Sequence, residues 1–119
     1  MKIHNVNKMP DSYKDGEYEL STLDKKDFIG KFPKKVTDVY YWYATGDYCG
    51  AGQVLARTVD NLWYHHDCGH CSCYGPTEEM SFSDEGRSLK DIVNCSADQL
   101  KQLKPILDQM KKDGISWNK

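Results

Sequence analysis

The segment Val36-Thr37-Asp38-Val39-Tyr40-Tyr41-Trp42-Tyr43-Ala44 combines β-branched and aromatic side chains, a composition typical of a β-strand. Alternation along such a strand divides the rings between its faces, Tyr40 and Trp42 on one and Tyr41 and Tyr43 on the other. Because both faces carry large rings, we expect this strand to lie in the centre of a sheet or to offer one face as a binding surface.

Two more strands are predicted directly after it. Gln53–Val59 and Leu62–His66 are apolar or alternating segments, and Asp60-Asn61 supplies the turn between them. Three consecutive strands joined by short connections form an antiparallel meander.

The end of the chain predicts an amphipathic helix from Ala97 to about Lys112. Ser96 is a suitable N-cap with Gln99 completing a capping box, and Gly114 is a natural stop. Pro105 lies inside the pattern, so we expect it to kink or split the helix. The apolar stripe consists of Leu100, Leu103, Ile106, Leu107 and Met110. We therefore predict one α+β domain over residues 1–119, with a meander of at least three strands packed against this helix.

Composition excludes several classes of function. The 119 residues carry 16 basic and 18 acidic side chains, a net charge of −2, which gives no electrostatic case for binding nucleic acid or a membrane surface. No apolar stretch approaches the ~20 residues of a membrane span, and the N-terminus does not read as a secretory signal. We therefore expect a cytosolic protein whose five cysteines are not all paired in disulfides.

Reactive side chains are concentrated in one stretch, here called the cysteine segment, Asp67-Cys68-Gly69-His70-Cys71-Ser72-Cys73-Tyr74-Gly75-Pro76. The spacing Cys68-x-x-Cys71 is that of a zinc knuckle, and zinc takes four ligands in a tetrahedron. Cys73 and one histidine, His66 or its neighbours His65 and His70, can complete such a set. A small zinc site is one hypothesis for this segment.

Other chemistries remain open for the same segment. Cys71 or Cys73 can act as a nucleophile if His65 or His66 serves as the base, and Cys71-x-Cys73 can close into a reducible disulfide. In another hypothesis the segment has a purely structural role: its glycines and Pro76 shape a rigid turn, and its small thiols pack on the sheet. A rigid turn of that kind still serves as a recognition surface.

A glycine-rich stretch, Gly46–Gly52, precedes the second predicted strand. It lacks the Gly-Lys-Ser/Thr of a phosphate loop, so we interpret it as a hairpin loop that needs positive φ. In a meander, its Asp47 and Tyr48 can share a surface with Trp63 and the cysteine segment.

These two stretches together resemble a set of small proteins of tailed bacteriophages and prophages. The likeness rests on Gly69-His70-Cys71-Ser72-Cys73-Tyr74-Gly75-Pro76 and, more loosely, on Tyr43-x-x-Gly46-Asp47-Tyr48-x-Gly50-x-Gly52. It covers roughly residues 39–79 and centres on Cys71 and Cys73. The resemblance implies a phage accessory protein that acts in the cytoplasm of the bacterial host, and it implies no particular activity or cofactor.

Small phage accessory proteins often work by binding, so the leading hypothesis is a non-enzymatic protein that inhibits or modulates a host component such as an anti-phage defence protein. Its partner would be a host protein or a small ligand, and no cofactor is expected. The alternatives are a zinc-binding domain, with Cys68, Cys71, Cys73 and His66 as ligands, and a cysteine-dependent enzyme. The predicted binding residues are Tyr40, Trp42, Asp47, Tyr48, Trp63, Gly69, His70, Cys71, Ser72, Cys73 and Tyr74.

Overall fold

The computed structural model describes residues 1–14, 18–32, 35–46, 49–68, 70–71 and 86–115, with the backbone alone described at Ser12, Lys14, Cys49, His70 and Cys71. The strands are β1 (Lys2–Asn5), β2 (Glu19–Leu20), β3 (Val36–Thr45), β4 (Cys49–Thr58), β5 (Trp63–Asp67) and β6 (His70–Cys71). The helices are α1 (Asp11–Lys14), α2 (Leu89–Val93) and α3 (Ala97–Lys112), and a 3₁₀ turn spans Lys25–Asp27.

The sheet follows the order β1-β3-β4-β5, and its last three strands form the predicted antiparallel meander. α3 packs on this sheet, so the α+β class is confirmed. The free edge of β3 is covered by two short strands from the N-terminal region, β1 in parallel and β2 antiparallel. β1 was not predicted, because its residues Lys2, His4 and Asn5 lack the apolar alternation that indicates a strand.

β5 and β6 lie on the same side of β4 and keep one register. Gln53 is opposite Asp67, and Gly50 is opposite His70, which continues the same pairing three positions along. Between the two pairs the Cys68 N–H donates to the Gly52 carbonyl at 2.9 Å. The cysteine segment thus begins as a continuation of the meander.

β3 is buried on both faces, as the rings on its two sides predict. One face of the sheet, here called the helix face, carries Tyr40, Trp42 and Leu55 under α3. The other, here called the back face, carries Tyr41 and Val54 under residues 21–32. Burying large rings on both sides makes β3 the centre of two cores, at roughly 1.5–3 kcal/mol per large apolar side chain.

α3 begins and ends where the sequence predicts. The Ser96 hydroxyl accepts a hydrogen bond from the Gln99 N–H at 3.2 Å, and Leu103, Ile106 and Met110 are fully buried on the helix face. Pro105 does not split the helix, which runs unbroken from Ala97 to Lys112 because this buried stripe holds both halves to the sheet.

The back face is closed by residues 21–32. Asp24 caps the 3₁₀ turn, and the side chains of Leu23, Phe28 and Phe32 pack toward the sheet. The Tyr41 hydroxyl accepts a hydrogen bond of 2.8 Å from the Leu23 N–H, which fixes the segment to the central strand.

The expected loop through Gly52 is wrong in extent. β3 continues to Thr45 and β4 begins at Cys49, so Gly50 and Gly52 belong to a strand. Gly52 is required for close packing, since a β-carbon there would overlap the carbonyl oxygen of Trp42. Positive φ occurs at other glycines in the described part of the chain, namely Gly30, Gly86 and Gly114.

None of the helices in the described residues combines the length and the apolar character that crossing a membrane requires.

Candidate functional site

Three aromatic residues of the predicted binding surface are buried in the core. Tyr40 and Trp63 are 2% exposed and Trp42 is fully buried, because α3 and the elements beside it cover the helix face. The Trp42 indole donates to the Gln102 carbonyl at 2.7 Å, and the Tyr40 hydroxyl donates to Asp113 at 2.8 Å. Their placement on a presented surface is therefore wrong, and the polar atoms of Tyr40 and Trp42 attach the C-terminal helix region.

The remaining predicted binding residues fall largely outside the described part of the chain. His70 and Cys71 form β6, where Cys71 is directly opposite Cys49. The others, which lie outside the described residues, are Asp47, Tyr48, Gly69, Ser72, Cys73 and Tyr74.

Burial argues against Cys68 as a ligand of a zinc knuckle. Cys68 is fully buried in the back-face core beside Tyr41 and Val54. Cys71 lies three positions further along the same ladder, in β6. The described residues contain no group of three His, Cys, Asp or Glu side chains placed to hold a metal ion.

His66 is half-buried at the end of β5. Its Nδ1 donates to the Asp67 carbonyl at 2.6 Å, an orientation that metal-bound histidines also adopt. It occupies the same face of the strand as Cys68, two residues away. Since the Cys68 thiol lies inside the core, the two residues do not form an accessible pair.

Burial also makes Cys68 a poor nucleophile. Desolvation raises the pKa of its thiol to about 12, and the negative charges of Asp27 and Asp67 act in the same direction. A thiol with such a pKa is almost entirely protonated at neutral pH. Cys68 is therefore a packing residue.

A polar network lies on the helix face at the end of the meander. Gln53 is only 5% exposed, next to the apolar run Val54-Leu55-Ala56 of β4, and its amide nitrogen donates to Asp67 at 2.5 Å. An ionised carboxylate only accepts hydrogen bonds, so Asp67 determines which end of the Gln53 amide faces it. The amide oxygen of Gln53 must then point the other way.

That oxygen receives two donors. His65 Nε2 lies 2.6 Å from Gln53 Oε1, and Gln99 Nε2 on α3 donates to it at 2.9 Å. The contact of 3.4 Å between His65 Nε2 and Gln99 Nε2 is therefore an approach of two donors to one acceptor. The network assigns His65 the tautomer with the proton on Nε2, and burial lowers its pKa, which favours the neutral ring.

This network forms one wall of a small cleft. The opening lies between α1, the first half of α3, the first half of β4 and the end of β5, with a volume of about 260 Å³. Ala51 and Gly52 form the floor of the cleft and leave it open, because alanine has a small side chain and glycine has none. The polar groups around it come from Tyr13, Gln53, Asp67, Gln99 and Gln102.

Sequence reasoning missed most of this cleft. One signal was present: Gln53 is polar, yet alternation in β4 places it on the same face as the apolar Leu55. A polar side chain at such a position needs partners, so it marks a network. The partner on α3 was misassigned, since Gln99 was expected to complete the cap of its own helix and its side chain reaches Gln53 instead.

Comparison of the chain with protein-family models, with curated proteins and with solved structures gives no match.

Proposed function

We propose that this chain is a non-enzymatic binding protein that modulates a component of the bacterial host, as its resemblance to tailed-phage accessory proteins implies. The observation that carries the binding function is the fixed orientation of the Gln53 amide. Three neighbours hold it, Asp67 from one end and His65 and Gln99 from the other. Because this buried amide is held at both ends, the polar side chains bound to it keep one arrangement at the wall of the cleft. Fixed polar groups of this kind are typical of recognition sites.

The position of the cleft supports a protein partner. β6 continues the same ladder only three residues after Asp67, so the cysteine segment starts beside the opening. A partner that enters the cleft would therefore also meet that segment. The proposed interface consists of the cleft and of β6, which is formed by His70 and Cys71.

The chemistry of the described thiols fits binding better than catalysis. Cys68 is held inside the back-face core with a raised pKa. The exposed Cys95 lies between α2 and α3, where its thiol contacts the Val93 carbonyl at 3.7 Å. His65 interacts through Nε2 with the neutral Gln53 amide, and no thiol is part of that network among the described residues.

Affinity capture from a lysate of a bacterial host tests the proposal. Wild-type protein is compared with Gln99→Ala, which removes one side chain from the wall of the cleft, and with Gln109→Ala on the same helix. Gln109 is a matched control because it also bonds a neighbour through its amide, Asp113 at 3.3 Å, away from the cleft. We expect one host protein to be captured by wild-type and Gln109→Ala but not by Gln99→Ala.

The captured protein is then purified and titrated calorimetrically against all three variants. The function is supported if the partner binds wild type and Gln109→Ala with similar affinity and binds Gln99→Ala more weakly. The proposal fails if no host protein is captured, or if Gln99→Ala retains the partner as well as the control does.

A further inference from the structure

The size of the cleft restricts what it can take. Its volume of about 260 Å³ lies below the roughly 300–1,000 Å³ of sites for drug-sized ligands and cofactors. That space suits one large side chain. A ligand that is part of a partner protein is therefore favoured over a free nucleotide or cofactor.

The charge of the cleft restricts the ligand further. Asp67 is exposed and is the single acidic or basic residue among the described residues that line the opening. Behind it, His65 is kept neutral by burial, so the wall does not carry a compensating positive charge from that ring. The other polar groups are the amides of Gln53, Gln99 and Gln102 and the phenol of Tyr13. A cationic, donor-rich group complements such a lining.

Geometry favours a guanidinium over an ammonium group. An ionised carboxylate offers about four acceptor positions, and Gln53 uses Asp67 Oδ1 for one of them. A guanidinium presents a planar fork of donors that matches a carboxylate, and it costs less to dehydrate than an ammonium group.

The aromatic wall strengthens that preference. The Tyr13 ring is held 5.4 Å from the Trp42 ring and 5.2 Å from the Tyr18 ring, between centroids. It is half-buried and contributes to the lining of the cleft. A fixed aromatic surface that lines the same cleft as a carboxylate is a favourable setting for a stacked guanidinium.

We propose that the cleft binds the side chain of an arginine on the partner protein, with Asp67 accepting from the guanidinium and Tyr13 stacking beside it. The inference rests on the proposed function for the source of the arginine, since the cleft itself specifies only the side-chain chemistry.

The test uses the full ¹⁵N-labelled chain and blocked amino acids as probes, followed by NMR. N-acetyl-arginine methylamide should cause saturable shifts of the Gln53 and Gln99 side-chain amides. The citrulline analogue has the same shape without the charge, and it should bind about fivefold more weakly, the scale of one exposed ion pair. The lysine analogue should also bind more weakly, since it lacks the planar fork.

A variant pair locates the effect. Asp67→Asn should weaken arginine binding about fivefold, whereas Asp108→Asn should leave it unchanged. Asp108 is an exposed carboxylate of α3 that pairs with Lys104 at 3.1 Å, outside the cleft. The comparison of the arginine and citrulline analogues uses wild-type protein only. It therefore tests whether the cleft requires the guanidinium charge even if Asp67→Asn does not fold.

Equal binding of the citrulline or lysine analogue overturns the proposal, as does the absence of saturable shifts at the cleft amides. This result is independent of the capture experiment. If arginine binds but no host partner is captured, the modulator function is rejected and the arginine site stands. If a partner is captured but arginine is not preferred, the arginine site is rejected and the modulator function stands.

Discussion

Gln53 and His65 fix each other across β4 and β5, with His65 Nε2 donating to Gln53 Oε1 over 2.6 Å. The direction of this bond follows from Asp67, which binds the other end of the same amide. Because the ring is also half-buried and partly desolvated, its neutral form is favoured and its pKa is lowered. The tautomer and the protonation state of one side chain thus report whether the cleft is assembled.

We expect NMR of the imidazole to show the Nε2–H tautomer at neutral pH and a pKa below the ordinary value of about 6.5. A lowered pKa means that the unfolded chain holds the proton more tightly. His65 should therefore make the free energy of unfolding fall as the pH drops from about 6.5 through the folded pKa.

The control for this pH dependence is His65→Gln, which cannot titrate. Its free energy of unfolding, measured by urea titration between pH 5 and about 8, should vary less with pH than that of the wild type. A proton on Nδ1 alone, or a pKa at or above the ordinary value, would contradict the assigned network.

Gly52 tests the close contact between β4 and β3. A β-carbon there would overlap the Trp42 carbonyl oxygen and lie 3.1 Å from Tyr43 Cα and 3.2 Å from Cys68 Cβ. These contacts are in the backbone and the core, so they cannot relax easily. We expect Gly52→Ala to lower the free energy of unfolding by about 1–3 kcal/mol or more.

Gly46→Ala is the matched control for this substitution. Its new β-carbon would lie 3.5 Å from the nearest atom of the Tyr18 ring, an ordinary contact, and its backbone does not require positive φ. Chemical denaturation should place this variant within about 0.5 kcal/mol of the wild type. Equal losses for the two alanine variants would mean that Gly52 is not closely packed.

The fold was largely predictable because its signals are local. The β-branched and aromatic composition of Val36–Thr45 indicates a buried strand by itself, and Ser96 with an apolar stripe defines α3. The same local logic failed for Gly52, whose requirement comes from the neighbouring strand. It also failed for β1, a mostly polar edge strand held by pairing with β3.

The candidate site was less predictable, because it forms between distant parts of the chain. Gln53 and Gln99 are 46 positions apart and meet only when α3 packs on the sheet. The rings of Tyr40, Trp42 and Trp63 suggested a surface, yet large rings are as useful in a core, and helix packing decided between the two. The roles of Asp47, Tyr48, Cys71 and Cys73 in binding stay predictions.

α3 provides a test of which part of its stripe attaches the helix. Leu103 is fully buried against the sheet, whereas Leu100, one turn earlier, is 40% exposed. Leu103→Ala should lower the free energy of unfolding by about 2–5 kcal/mol, because it removes buried apolar surface and leaves a cavity. Leu100→Ala changes the same residue type on the same helix and should cost less than about 1 kcal/mol.

Urea denaturation of both leucine variants checks this expectation, with circular dichroism confirming that α3 remains helical. A loss at Leu100 as large as that at Leu103 would show that the exposed side of the helix is also covered in solution.

The thiols give the sharpest test of the chemical alternatives. Cys68 is fully buried with a pKa raised to about 12, whereas Cys95 is exposed between two helices. Alkylation follows the thiolate and needs access, so native Cys68 should react at least about a hundredfold more slowly than Cys95 at neutral pH. Peptide mapping by mass spectrometry after timed labelling measures both rates in one sample.

Unfolding supplies the internal control for the thiol experiment, since in denaturant the two residues should react at similar rates. Cys68→Ala should also lower the free energy of unfolding by about 1 kcal/mol, while Cys95→Ala should not change it measurably. Rapid alkylation of native Cys68 would contradict its packing role, because a reactive thiolate at this position would have to be accessible. In that case Cys68 would return as a candidate nucleophile or metal ligand beside His66, and the cysteine segment would have to be considered as a chemical centre.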